Sequence, residues 1–113
     1  MNIQVIGTKK CKETQKALRF FKERGVKPHF RDLNEGPLSR GEVNNILRSV
    51  PADELIDREG KLFEKMNLHY IQHDPVEKIL QEPLLLKTPV VRSGNKSIAG
   101  HDPEGWKGLL ENK

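Results

Sequence analysis

The chain predicts an α/β fold on a mixed central sheet, in the order β-α-β, a helical middle, β-β-α. Three observations predict it. Asn2-Ile3-Gln4-Val5-Ile6 is a short apolar run that reads as a buried strand, and a helical apolar period follows it from Lys12 to Arg24. Val26 to Leu33 reads as a second strand, so strand, crossover helix and strand form a βαβ unit with parallel pairing. Past Lys87 the period changes. Pro89-Val90-Val91-Arg92 and Lys96-Ser97-Ile98-Ala99 flank the turn Ser93-Gly94-Asn95-Lys96, a β-hairpin pattern that adds strands with antiparallel pairing.

In the first helix Ala17, Leu18, Phe20 and Phe21 recur at helical spacing, with Lys16, Arg19, Lys22 and Glu23 between them. Gly25 is a fitting stop, and Lys22 and Arg24 stand well against the helix dipole. The second strand has Pro28 near its start, with Phe30 and Arg31 alternating. Asn34-Glu35-Gly36-Pro37 is a turn, and Ser39-Arg40-Gly41-Glu42 is a capping box that opens a helix with Val43, Ile46 and Leu47 on its apolar face. Pro51 to Leu68 reads as helical, with Leu62, Phe63 and Met66 at core spacing. Asp74-Pro75-Val76-Glu77 caps another helix, with proline at its first position, leading into Ile79 and Leu80. Residues 39–83 thus form a helical insert. Asp102-Pro103-Glu104 caps a last helix carrying Trp106, Leu109 and Leu110, in which Trp106 reads as a packing residue. No repeat or low-complexity linker interrupts the order, so residues 1–113 are expected to form a single domain.

Composition narrows the function classes. With 35% hydrophobic and 32% charged residues, 113 residues suit one soluble domain with a modest core. The longest apolar stretch, Leu84-Leu85-Leu86, ends at Lys87, and no secretory pattern opens the chain, so neither membrane nor export is expected. One cysteine excludes an internal disulfide and points to a reducing cytoplasm. Cys/His metal frameworks are missing, and His29, His69, His73 and His101 read as ordinary polar residues, so no metal is expected. The net charge of +4 is uneven: residues 1–31 hold nine Lys/Arg against Glu13 and Glu23, a balance of +7, which leaves −3 for the remainder. That field suits an anionic substrate or an acidic protein partner. It does not suit nucleic acid, because no aromatics interleave the basic residues and no binding motif is present. Nothing in the sequence demands more than a monomer.

Cys11 is the position with chemistry. It follows the first strand and the turn Gly7-Thr8-Lys9-Lys10, and it stands at the mouth of the first helix. A helix N-terminus offers unpaired N–H groups and a partial positive charge, which favour a thiolate over a thiol, and Lys9, Lys10 and Lys12 add to that field. The plain alternative is a small buried hydrophobe. The lysine-rich turn speaks against it.

The stretches Val5-Ile6-Gly7-Thr8-Lys9-Lys10-Cys11, Thr14-Gln15-Lys16-Ala17, Gly36-Pro37-Leu38-Ser39, Leu55-Ile56-Asp57-Arg58 and Leu85-Leu86-Lys87-Thr88-Pro89-Val90-Val91 resemble the arsenate reductase-like (ArsC-like) branch of the thioredoxin fold. This branch also contains Spx-type regulators and small reductase-like proteins. The resemblance implies a thioredoxin-like fold in which Cys11 is the nucleophile. It implies that Pro89 is a cis-proline facing Cys11, with the backbone of Thr88 turned out toward a peptide-like ligand. It implies that Arg58 steadies an oxyanion near the thiol, as a planar, permanently charged guanidinium can. Thr14 stands where a dithiol oxidoreductase carries its resolving cysteine. A hydroxyl forms no disulfide, so turnover needs an external thiol, with glutathione as co-substrate and no bound cofactor. Thr14 would still be placed to hydrogen-bond the thiolate. Lys9, Lys10, Lys12, Thr14, Thr88 and Pro89 are therefore the expected substrate- or glutathione-binding positions.

Departures from the family pattern sharpen this expectation. Arsenate reductases of the branch place an arginine directly before the proline, where this chain has Thr88. They place another after the last strand, where it has Ala99-Gly100-His101. Arsenate reduction is disfavoured. The Cys-x-x-Cys switch of Spx-type regulators is missing as well. The expectation is a glutathione-dependent thiol reductase with one nucleophilic cysteine, and the alternative is a non-enzymatic redox-sensing or protein-interaction module.

Overall fold

Val5 and Ile6 are neighbours in the first strand and end in different cores. The computed structural model describes residues 2–111. Its strands are β1 (Gln4–Gly7), β2 (His29–Asp32), β3 (Val90–Ser93) and β4 (Lys96–Ala99), arranged β2-β1-β3-β4. β1 pairs parallel to β2, β3 antiparallel to β1 and β4 antiparallel to β3, so the sheet is mixed. Side chains alternate across a pleated strand, and β1 and β3 pair Val5 with Val91 and Ile6 with Val90. Val5 and Val91 therefore face the layer made by α1 (Lys12–Glu23) and α6 (Pro103–Glu111), with Ile3, Ala17, Phe21, Trp106 and Leu109. Ile6 and Val90 face the larger core of the insert, built from α2 (Arg40–Leu47), α3 (Ala52–Leu55), α4 (Lys61–Lys65) and α5 (Pro75–Gln81).

The ends of the helices follow local chemistry. α1 closes in a Schellman turn: Gly25 adopts φ +76, the Val26 N–H donates to Phe21 O and the Gly25 N–H to Lys22 O. α2 opens with a complete capping box, Ser39 accepting from the Glu42 N–H and Glu42 accepting from the Ser39 N–H. Burial pushes the Glu42 carboxyl up, but the Ser39 N–H and the Arg31 guanidinium outweigh it and hold it below the usual carboxylate range. Asp74 caps α5 with Pro75 at its first position, and the Asp102 carboxylate accepts the Gly105 N–H at the start of α6. Trp106 is buried beneath Phe20 and Phe21, as a packing residue should be.

Two stretches differ from the sequence reading. Residues 51–68 are not one helical run. α3 ends at Leu55, Ile56 leaves the helix and pairs with Leu86, and α4 starts only at Lys61. The pairing is antiparallel, with the Asp57 N–H donating to Leu85 O and the Lys87 N–H to Leu55 O, both at 2.8 Å. A backbone ladder that far apart in sequence leaves no periodic trace. β2 is also shorter than Val26 to Leu33, spanning His29 to Asp32, because Asp32 accepts the Asn34 N–H and turns the chain into a single 3-10 turn at Leu33–Glu35.

Candidate active site

The strand-turn-helix unit delivers Cys11 to the end of the sheet. The Cys11 N–H donates to Thr8 O at 3.2 Å and closes the turn, and Cys11 O accepts the Gln15 N–H as the first bond of α1. Cys11 is thus the N-cap of α1, with extended backbone angles and a half-buried side chain. An N-cap side chain faces the second and third N–H groups of its helix, those of Glu13 and Thr14, although Cys11 Sγ makes no cap hydrogen bond with them in this structure. A thiol is a poor cap, whereas a thiolate accepts well.

Thr88 approaches from the other side. Its Oγ1 lies 3.2 Å from Cys11 Sγ, and the Thr88–Pro89 peptide bond is cis. Once the sulfur is ionised, only the hydroxyl can donate across that contact. Thr14 lies beneath, fully buried, and its Oγ1 has no hydrogen-bond partner of acceptable geometry. Partial burial pushes the Cys11 thiol up. The Thr14 and Thr88 hydroxyls and the N–H groups of Thr14 and Glu13 outweigh it, so the thiol stands below its ordinary value. The Thr14 hydroxyl acts here as a nearby donor, although its approach to Sγ falls short of full hydrogen-bond geometry. Gly7 makes room for it: a Cβ there would overlap Thr14 Oγ1 and Cγ2.

The expected site residues are therefore only partly gathered. Cys11, Thr14, Thr88 and Pro89 form one group. Lys9, Lys10 and Lys12 surround the thiol in sequence as exposed side chains, and the leading causes of the lowered pKa are hydroxyl and N–H donors rather than these lysines. Arg58 stands apart. The antiparallel bridge at Ile56 and Leu86 sends the chain away from Thr88 as it reaches Arg58. The Arg58 side chain is exposed and makes no hydrogen bond or ion pair among the described residues. Arg92, on β3, is drawn away by Gln4 Oε1 at 2.9 Å and Asn45 Oδ1 at 2.8 Å. His69 and His73 pack edge-on against Phe63, with ring centroids 4.6 and 5.6 Å from it.

One pair at the site was not expected from the sequence. Nδ1 of His101, in the loop after β4, lies 3.0 Å from Oε2 of Glu13, in the first turn of α1. The residues are far apart in the chain, and neither sits in a motif that signals the other. A cysteine at a helix mouth, 3.2 Å from the residue before a cis-proline, on a mixed sheet of this order, marks the thioredoxin fold. Within that class the chain belongs to the ArsC family, whose model matches residues 6–109.

Similar proteins include a transcriptional regulator and an arsenate reductase. Global transcriptional regulator Spx 2 of Oceanobacillus iheyensis is 29% identical, over all of this chain and 87% of its own length. Among solved structures, the YffB protein superposes with a TM-score of 0.87 at 22% identity, covering 96% of this chain and 99% of its own. An arsenate reductase from Vibrio cholerae superposes at 0.82 and 19% identity, covering 97% and 98%. At such identities the structural likeness speaks for the fold.

Proposed function

We infer that this protein is a glutathione-dependent thiol reductase that works through one cysteine. The observation that carries the reading is the Cys11 site itself: a sulfur at the N-cap of α1, within 3.2 Å of the Thr88 hydroxyl, with its pKa lowered by fixed donors. In the first step the Cys11 thiolate attacks the glutathionyl sulfur of a mixed disulfide. The Cys11–glutathione disulfide forms and the substrate leaves as a thiolate, which takes a proton from solvent. A second glutathione thiolate then attacks that disulfide, releasing oxidised glutathione and restoring the Cys11 thiolate. Each turnover consumes one free glutathione, which leaves as oxidised glutathione together with the transferred glutathionyl group, and no bound cofactor is needed. Thr14 carries a hydroxyl where an internal second thiol would stand, which is why the second thiol is external.

In this scheme the Thr88–Pro89 segment, beside the sulfur, positions the glutathionyl group. Lys9, Lys10 and Lys12 attract its carboxylates. Arg58, exposed and without a hydrogen-bond or ion-pair partner among the described residues, is the candidate to steady negative charge on the substrate. The glutathione-rich cytoplasm is the fitting compartment, and the protein acts as a monomer without nucleic acid. Among the described residues no helix is long and apolar enough to cross a membrane.

Alkylation of Cys11 by iodoacetamide as a function of pH tests the thiol. A midpoint below that of a free cysteine, about 8.5, is expected, and one at or above it would sink the reading. Cys11→Ser should abolish turnover of a glutathionylated substrate. The whole-chain match to an Spx regulator favours a second reading, a redox-sensing module that docks on a protein partner. In that case a partner would bind without turnover, and Cys11 would accept glutathione reversibly.

A further inference from the structure

The Glu13–His101 pair has a direction. His101 is held from the sheet side: Gly100 before it adopts φ +85 and donates its N–H to Pro89 O at 2.8 Å, and the imidazole stands edge-on to Trp106 with centroids 5.3 Å apart. Glu13 is a half-exposed side chain on the first turn of α1, where its other contact is Lys16 at 3.7 Å. The two side chains are similarly exposed, 44% and 41%, but the imidazole rests on Trp106 whereas the carboxylate's other contact is a lysine of its own helix. Exposed pairs of this kind add little to stability. Position is what gives this one a consequence.

Glu13 is the acidic residue of the first turn, and its own N–H is one of the groups that favour the Cys11 thiolate. A carboxylate free at that place is drawn back to the same unpaired N–H groups by the helix dipole. It would then compete with the sulfur for donors and repel its charge. We propose that His101 is a positioning residue for Cys11: by engaging the Glu13 carboxylate it keeps the first-turn N–H groups of α1 open to the thiolate. The remaining charged groups around this corner are Lys9, Lys10 and Lys12 from the turn and helix mouth, Lys16 on Glu13, Lys87 lying against Gly100, and Asp102, which is occupied as the cap of α6. None of them takes the place of the imidazole on Glu13 Oε2.

The proposal rests on Cys11 being the reactive thiol, which the wild-type alkylation profile tests by itself. Its own test is the change in that profile. His101→Ala should move the midpoint upward and slow alkylation at pH 6 by about threefold. His101→Asn, which keeps a donor near the Nδ1 position, should stay near wild type. Glu13→Gln should remove the sensitivity, so that the double variant Glu13→Gln, His101→Ala alkylates like Glu13→Gln alone. An unchanged profile in His101→Ala, a shift in His101→Asn as large as in the alanine variant, or the same shift in the Glu13→Gln background would overturn it.

Discussion

Thr14 carries a fully buried hydroxyl that has no hydrogen-bond partner among the described residues. A buried hydroxyl without a partner costs free energy, on the order of 1–3 kcal/mol, and a methyl of the same shape would not. Thr14→Val should therefore leave stability unchanged or raise it, as read by denaturant unfolding, while raising the Cys11 alkylation midpoint. If both quantities fall together, the hydroxyl is not reserved for the sulfur. The linkage has a definite sign. Cys11 has a lowered pKa in the folded protein, so ionisation stabilises the fold fully above the unfolded thiol value, about 8.5, and this contribution is lost as pH falls through the lowered folded value. The stability gained between those two limits should shrink in Thr14→Val. That Cys11 stands at the mouth of α1 could be read from the strand-turn-cysteine-helix order, since each part has a local signature. That Thr14 is fully buried could not, because burial at the third helical position depends on Gly7 of the neighbouring strand leaving space for it.

At the scale of elements, caps carry the assignment. The Ser39 hydroxyl and the Glu42 carboxylate satisfy each other's backbone N–H groups at the start of α2, and Arg31 reaches the same carboxylate at 3.4 Å while donating to Gly36 O and Pro37 O. The cap thus also fixes the loop between β2 and α2. Ser39→Ala should cost about 1 kcal/mol in thermal or denaturant unfolding, and a loss under about 0.3 kcal/mol would mean that the box adds nothing to the helix. Because Glu42 has a lowered pKa in the folded state, its contribution is present above the unfolded carboxyl value and disappears as pH falls through the folded one. Features of this kind were legible in the sequence, as were the hairpin, Gly25 and the proline-led start of α5, because each depends on neighbours within a few residues. The break at Ile56 was not. It is set by Leu86, thirty residues away, and the apolar spacing of 51–68 suits a helix just as well as two short ones. The Glu13–His101 contact was hidden for the same reason: only the folded sheet brings the end of β4 to the mouth of α1.

Across the whole molecule the basic excess lies in the first βαβ unit, which also presents the thiol. Residues 1–31 carry a balance of +7 and the rest −3, and Lys9, Lys10 and Lys12 are exposed close to Cys11 in sequence. The fixed donors at the sulfur account for the leading causes of its lowered pKa, and under the proposed function the lysines act at longer range, raising the local concentration of an anionic reactant before contact. The two effects respond differently to salt. Donors held within hydrogen-bond distance are hardly screened, whereas attraction across several ångströms of solvent is lost once the Debye length shrinks from about 30 Å at 0.01 M to about 3 Å at 1 M. The reaction of Cys11 with an anionic aromatic disulfide should therefore slow several-fold over that range, at a pH where the thiol is ionised. Its reaction with neutral iodoacetamide should change little. Replacing Lys9, Lys10 and Lys12 by glutamine should flatten the first dependence and leave the second as it was. Equal salt dependence for both reagents would mean that the charge of this segment is only a solvated surface, and that substrate choice is made by contact at the Thr88–Pro89 side of the thiol.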